Sequence, residues 1–371
     1  SIINSKARMT YTEVSDILEK DDEKLKSTFS NLVEEFHNAE DLARILMKRR
    51  ERRGSIDFDF PESKIILNSE GKVADIKSYE RRISNRMIEE FMLVTNETVA
   101  EHFFWLQTPF VYRIHEIPAA EKMENLSKFI ATFGYSLKGD LEQIHPKEIQ
   151  RVLKLIKGTP EEESISTIML RSMRQARYAP QCVGHFGLAA QYYCHFTSPI
   201  RRYPDLQIHR IIKEQLNGKL TPKRSEQLAN IVEYASNQSS EQEREAELAE
   251  RDVHDYYKAV YMADRIGQEF DGTISSVTSF GMFVELENTV EGLIRMVDMT
   301  DDYYNYIESS YSLVGETKRV FRIGDQVRIK VSKVNVDFRE IDFELVSVKE
   351  DNRLVNKAVD GEVEADEKDG E

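Results

Sequence analysis

Residues 195–205 read HFTSPIRRYPD, two arginines between two prolines in a 371-residue chain whose formal charge is -15. Pro204 has no N–H to give to a helix interior, and Tyr203 before it is pushed off helical angles. A helix carrying Leu206, His209 and Ile212 is therefore expected to begin at about Pro204. Arg201 and Arg202 then precede a helix N-terminus. Free N–H groups and the positive end of the helix dipole favour an anion there, and a guanidinium adds a planar fork matched to phosphate oxygens. A phosphodiester is the guest this chemistry suits. The competing reading pairs the arginines with nearby acids such as Asp205.

Working outward from this turn, CVGHFGLA before it is a glycine-punctuated loop, and Ser164 to Ala179 is expected to be helical. Further upstream, apolar residues recur at helical spacing from Thr10 to Arg53, giving two helices stopped by Gly54. SIDFDF alternates strictly, and KIILNSEGKVADIKSYE reads as two strands joined at Asn-Ser-Glu-Gly. A helix from Arg86 to Phe103, a strand from Thr108 to Ile114 and two more helices reaching Lys157 complete this part. Downstream, Pro222 opens a long helical stretch to Asp264, with SNQSS as a candidate break. From Gly267 the pattern changes to short strands, EFDGTISSV, GMFVEL, EGLIRM, QVRIKVSKVNV and EIDFELV. Such a series suggests a small barrel.

The length favours two domains. No run approaches a membrane span, and nothing resembles a signal peptide. Cys182 and Cys194 fit neither a disulfide framework nor a zinc spacing, so a reducing, cytoplasmic setting is expected by elimination. An excess of 66 Asp and Glu over 51 Lys and Arg argues at first against a nucleic-acid partner. Its distribution matters more. The acids gather in the tail DGEVEADEKDGE and in EQEREAELAERD, the cations in KRRERR, YERR and PIRRY. The tail is too charged to pack. The chain begins at Ser1 and runs directly into KARMTYTEV, so it is expected to be a fragment.

Glu250 shares a helical face with Ala246, Val253 and Tyr257, which is expected to lay its carboxylate along a buried stripe facing a sugar hydroxyl or an arginine. The alternative is a boundary glutamate that reaches water. Tyr11 is either a core aromatic or an exposed stacking plate. In SFGMFVEL, Phe280 and Phe283 flank Gly281 and are placed to emerge on one surface, with Arg295, Arg328, Lys330 and Lys333 on neighbouring strands. Aromatic plates edged with cations bind single strands on such barrels, and the alternative is a pair of core rings. Asp57 and Asp59 share a strand face; they are metal-ligand candidates or acids that protect a sheet edge.

LRSMRQARY, GHFGLAAQYYCHFTSPIRRYPDLQIHR and AERDV, in that order, closely resemble the catalytic domain of the ribonuclease II and ribonuclease R family of 3'→5' exoribonucleases. RRERRGSIDFDF, IEEFMLVTNETVAEHF and YRIHEIP fit the same pattern. The terminal segment, with its SFGMF turn, resembles an S1-type RNA-binding domain. The resemblance reaches to Val346 and is strongest to the ribonuclease R branch. It implies an α+β chain: a mostly helical, partial RNB catalytic domain over residues 1–264, an all-β OB-fold (S1) barrel over 265–347, and a disordered acidic tail over 348–371.

By position, the resemblance makes Arg201 the residue that holds the scissile phosphate and stabilises charge in the transition state. It places Glu250 near a ribose 2'-hydroxyl, where RNA is told from DNA, and Tyr11 against the last base. Arg202, Phe280, Phe283, Asp337 and Arg339 become RNA-facing, as does Arg295, which stands where many S1 domains carry a histidine. Family chemistry uses Mg²⁺ held by an aspartate cluster, which the resemblance places upstream of Ser1. The implied partner is single-stranded RNA, bound by a monomer and without a membrane. The fragment is then expected to bind RNA without cutting it, while its parent degrades RNA processively to nucleoside 5'-monophosphates. The rivals are a non-catalytic RNA-binding or regulatory protein and a helical interaction scaffold.

Overall fold

A computed structural model describes residues 2–58, 62–79, 81–159 and 161–348; Asp59 and the acidic tail after Val348 lie outside them. The helical part opens with α1 (Tyr11–Glu19), fixed by a capping box in which the Thr10 hydroxyl accepts from the Glu13 N–H and the Glu13 carboxylate accepts from the Thr10 N–H. Such a cap is worth about 1 kcal/mol. α2 (Glu23–Thr28) and α3 (Val33–Arg53) follow. Three helices thus stand where two were expected. The Asp22 carboxylate accepts the N–H groups of Lys24 and Leu25 and starts a separate helix. Gly54 ends α3 in the left-handed region at φ 105°, where glycine is favoured.

β1 (Glu62–Leu67) and β2 (Val73–Tyr79) pair antiparallel across a turn held by the Asn68 side chain. α4 (Ile83–Trp105) leads to β3 (Tyr112–Ile114), followed by α5 (Ala120–Ala131), α6 (Pro146–Ile156) and α7 (Glu162–Ser172). The helix expected to reach Ala179 stops at Ser172. The chain then extends into β4 (Arg177–Ala179), which pairs antiparallel with β3. Pairing supplied by a distant segment overrides local helical spacing here. The strand expected from Thr108 is likewise only three residues long.

α8 (Tyr203–Leu216) and α9 (Pro222–Ala263) complete the helices. α9 runs unbroken through SNQSS for 42 residues. Its N-terminal half buries Leu228, Val232 and Ala235, and Leu228 and Val232 join a core with Phe103, Phe110, Tyr112 and Ile208. Its C-terminal part buries Ala259 and Met262 in a second core shared by α5, α6, α7 and the barrel.

The barrel strands are β5 (Glu269–Thr278), β6 (Gly281–Leu286) and β7 (Glu291–Arg295). Outside the barrel, β8 (Tyr304–Ile307), β9 (Ser312–Gly315) and β10 (Val320–Arg322) form a separate three-stranded sheet that the sequence reading did not anticipate. β11 (Gln326–Asn335) and β12 (Glu340–Val348) return to the barrel, which closes in the order β11-β12-β7-β6-β5. These five strands match the expected ones. β6 can cross so close to β7 because residue 281 is glycine: a Cβ there would lie 2.2 Å from the Ile294 carbonyl oxygen.

The barrel is seated on the helical body at several points. The Ser164 hydroxyl donates to the Ile323 carbonyl, Arg171 donates to the Ser276 hydroxyl at 3.1 Å, and Phe129 meets Tyr311 edge-on at 5.4 Å. From α9, Lys258 donates to the Thr289 carbonyl at 2.6 Å.

Candidate nucleic-acid interface

The segment from Gly184 to Pro204 has little regular structure, so its backbone groups are satisfied by the elements around it. Arg113 of β3 donates its N–H to the Tyr193 carbonyl, and His115 exchanges backbone bonds with Gly184 and Phe186. Asn96 on α4 is buried; its side-chain oxygen accepts from the Phe196 N–H at 3.0 Å and its amide donates to the Tyr193 hydroxyl at 3.2 Å. His195 Nδ1 lies 2.9 Å from the Tyr178 hydroxyl, and the rings of Phe196 and His209 stack at 4.3 Å. The segment is thereby rigid where it reaches the arginines.

The pair of arginines separates into two roles. Arg202 is the N-cap residue of α8 and donates from Nε and a terminal nitrogen to one Asp205 oxygen, at 3.1 and 2.7 Å. The same oxygen accepts the Ser198 N–H at 2.7 Å, and Asp205 is 0% exposed. Arg202 is therefore engaged within the turn by Asp205. Arg201, one residue earlier, is exposed, and its guanidinium has no hydrogen-bond or ion-pair partner among the described residues. The reading that pairs the arginines with Asp205 thus describes Arg202, while Arg201 is left outside that pairing.

Other basic clusters are spent on acids. Arg50 and Arg53 of KRRERR bond Glu90 and Glu97 at 2.8 and 2.6 Å. Arg81 and Arg82 of YERR bond Glu89 and Glu19 at 2.5 and 2.7 Å. Arg113 pairs with Glu243 and lies 4.6 Å over the Tyr178 ring. Burial, followed by the charge of Arg202, holds the His195 imidazole down to about 2. Burial and the neighbouring His115 hold His185 down to about 3. Both rings are therefore neutral at pH 7 and serve as packing and hydrogen-bonding groups.

The expected buried stripe on α9 is not formed. Ala246, Glu250 and Val253 are exposed, because α9 bridges the helical core and the barrel and no described layer covers residues 244–253. Glu250 has no side-chain partner among the described residues. Its carboxylate is open to a ligand, for a reason opposite to the expected one. Tyr11, at the start of α1, is 50% exposed and not a core ring.

On the barrel, Phe280 is 55% exposed, Phe283 is half-buried, and their rings meet edge-on at 6.1 Å. Arg295 is paired with Asp342 at 3.1 Å and Arg328 with Asp271 at 3.0 Å, so neither is the free cation expected from the strand pattern. Arg339 donates to Asp252 of α9 at 2.8 Å, while Asp337 is exposed. The sequence reading missed Asn96 and Asp252, and named Asp205 as a partner for the arginines but not as the acceptor of the Ser198 N–H. Asn96 lies in the polar stretch Thr95–Thr98 of α4, so no local signal set it apart.

Between α3, α6, α7 and the barrel runs a groove of about 1400 Å³, lined by Arg50, Arg86, Lys154, Lys157 and Arg171 but also by Glu90, Glu163 and Glu285. Its mixed charge gives no clear preference for a polyanion. A magnesium centre needs clustered carboxylates. Among the described residues no three His, Cys, Asp or Glu side chains come together to hold a metal, and Asp57 is engaged by Arg50 and Arg81 at 3.7 and 3.4 Å. The described residues do not fit the ion that the resemblance implies.

Comparison with known proteins gives a match to the RNB domain over residues 1–218 and to the S1 RNA binding domain over residues 263–345. The chain is 44% identical to "Ribonuclease R 1" of Lactococcus lactis over 369 residues, 99% of this chain and 45% of that protein. It is also 44% identical to ribonuclease R of Aquifex aeolicus, covering 93% of this chain and 49% of that one. The chain thus spans about half the length of the curated relatives it matches. Among solved structures, Mycoplasma genitalium RNase R in complex with ribose-methylated single-stranded RNA superposes with a TM-score of 0.85 at 28% identity, over 92% of this chain and 54% of that one. Yeast Ssd1, described as a pseudonuclease, shares the fold alone, with a TM-score of 0.51 at 19% identity over 88% of this chain and 38% of that one.

Proposed function

The chain belongs to the RNB-domain family and carries an S1 RNA-binding domain behind that domain, and from this premise we propose that it supplies the phosphate-holding and RNA-guiding part of a ribonuclease R-like 3'→5' exoribonuclease. The observation that carries the reading is the division of labour at the turn. Buried Asp205 neutralises Arg202 and holds the backbone at Ser198, leaving Arg201 exposed at the N-terminus of α8 with no partner among the described residues. A guanidinium presented there, beside the positive end of the helix dipole, suits one phosphate of a single strand.

Around this anchor, Glu250 is available to accept a ribose 2'-hydroxyl, which is the group that separates RNA from DNA. Tyr11 offers an exposed face to a base. Phe280 and Phe283 guide the strand across the barrel by stacking, with exposed Asp337 on the β11–β12 hairpin at the other end of that face. Magnesium, when bound by an enzyme of this class, activates water and stabilises the leaving oxygen. No metal-ligand set is found among the described residues, and no bond-breaking step is assigned to them. On this reading the chain by itself binds single-stranded RNA without hydrolysing it. The same observation equally suits a non-catalytic RNA-binding protein, and the fold of Ssd1 serves in a pseudonuclease.

The test is an equilibrium titration of single-stranded RNA at several salt concentrations. The wild-type chain is expected to bind with a salt-dependent affinity, and a DNA strand of the same sequence more weakly, with Glu250→Ala reducing the difference. Equal affinity for RNA and DNA in both proteins would contradict the role given to Glu250. Absence of salt-dependent binding would contradict the proposal as a whole.

A further inference from the structure

The hairpin between β11 and β12 carries Phe338, which is 73% exposed. An aromatic ring so open is unexpected in a loop this well tied. Phe338 donates its N–H to the Asn335 side chain at 3.3 Å, the Arg339 guanidinium donates to the Asp337 carbonyl at 2.6 Å, and Arg339 takes a left-handed φ of 58°. Val336, two residues earlier, packs against the shared core, while no ring contact of Phe338 occurs among the described residues. The backbone is therefore held and the ring projects.

Register places this ring relative to the barrel surface already described. Gly281 pairs with Arg295, and Leu293 lies opposite Asp342 in the parallel pair of β7 and β12. Phe283, Leu293, Arg295 and Asp342 alternate with buried neighbours and so share the outer face of β6, β7 and β12. The turn bearing Phe280 lies at one end of that face and the hairpin bearing Phe338 at the other. The strand ends next to them, Gly281 and Glu340, stand four residues apart in this register, roughly 13 Å of strand, and the two rings lie beyond those ends. Five-stranded barrels of this kind bind oligonucleotides on the face of their second and third strands, flanked by the loops joining strands one to two and four to five. In barrel order those are the Phe280 turn and the Phe338 hairpin.

The hairpin is also one of the points where the barrel meets the helical body. Arg339 is tied to Asp252 on α9, within one turn of Glu250. We infer that Phe338 is a further base-stacking residue, receiving the strand where it leaves the barrel face for α9 and Arg201. This rests on the RNA-binding reading above. Sequence inspection singled out Asp337 and Arg339 on either side and passed over the ring between them.

The experiment compares wild type, Phe280→Ala, Phe338→Ala and Phe338→Tyr for binding to a fluorescently labelled single-stranded oligoribonucleotide, with a thermal melt of each protein. Phe338→Ala is expected to bind ~5- to 150-fold more weakly, the range of one lost base stack, with an unchanged melt and with affinity restored in Phe338→Tyr. If Phe280→Ala weakens binding and Phe338→Ala does not, the inference about Phe338 is wrong and the RNA reading stands. If wild type does not bind, or neither alanine variant matters, both are overturned.

Discussion

Arg201 and Arg202 are adjacent and chemically identical, yet their surroundings assign them different consequences. Removing Arg202 strands the fully buried Asp205 carboxylate without its cation, so Arg202→Ala is expected to lose about 3 kcal/mol or more of folding stability. Arg201→Ala should leave stability within about 0.5 kcal/mol. It should instead cost about 1.5–3 kcal/mol of RNA binding and lower the slope of log affinity against log salt by about one. Denaturant melts and salt-series titrations of the two variants check this; equal losses of stability would remove the distinction. Asp252 makes a third case. Its pair with Arg339 is largely exposed, so Asp252→Asn should be neutral for stability while freeing a cation beside the barrel. Tighter RNA binding with a steeper salt slope is expected, and unchanged binding would mean that Arg339 does not reach RNA. The sequence could name Arg201 through its place before Pro204. It could not say which arginine Asp205 takes, since that depends on how the turn closes.

At the scale of elements, the segment from Gly184 to Pro204 behaves as a buried scaffold with a titration of its own. His185 and His195 are held down to about 3 and about 2 in the fold, chiefly by burial, against about 6.5 in an unfolded chain. Below pH 6.5 the unfolded state therefore binds protons that the folded state refuses. Their contribution to stability is complete above about pH 6.5 and is lost as pH falls towards 3, by up to about 1.4 kcal/mol per pH unit for each histidine. Urea unfolding midpoints at pH 7.5 and pH 5 measure it, and a His195→Gln variant should flatten the dependence; no acid loss in wild type would contradict neutral burial. Elements with strong local signals were legible, as with the alternating barrel strands and the proline-started α8 and α9. Those fixed by distant partners were not. β4 exists because β3 lies beside it, and the exposure of Glu250 follows from α9 bridging two cores, which helical periodicity alone reads as burial.

For the whole molecule, an acidic chain with clustered arginines is reconciled by where those charges are spent. Arg50, Arg53, Arg81, Arg82 and Arg113 are engaged with Glu90, Glu97, Glu89, Glu19 and Glu243, so a count of basic residues overstates what a polyanion can meet. The family was legible because the residues of the central motif are needed together to build one turn. The groove between α7 and the barrel was not, because it arises where distant segments pack together; the sheet β8-β9-β10 pairs consecutive neighbours, but its strands of three or four residues are too short to show an alternating pattern. The most direct measurement is Mg²⁺-dependent degradation of a 3'-labelled single-stranded RNA by this chain, run beside its binding and an Arg201→Ala control. Binding without degradation, weakened in the control, is the expected result. Degradation that the control abolishes would mean that a catalytic metal site exists within this chain, and the division proposed between holding RNA and cutting it would be wrong.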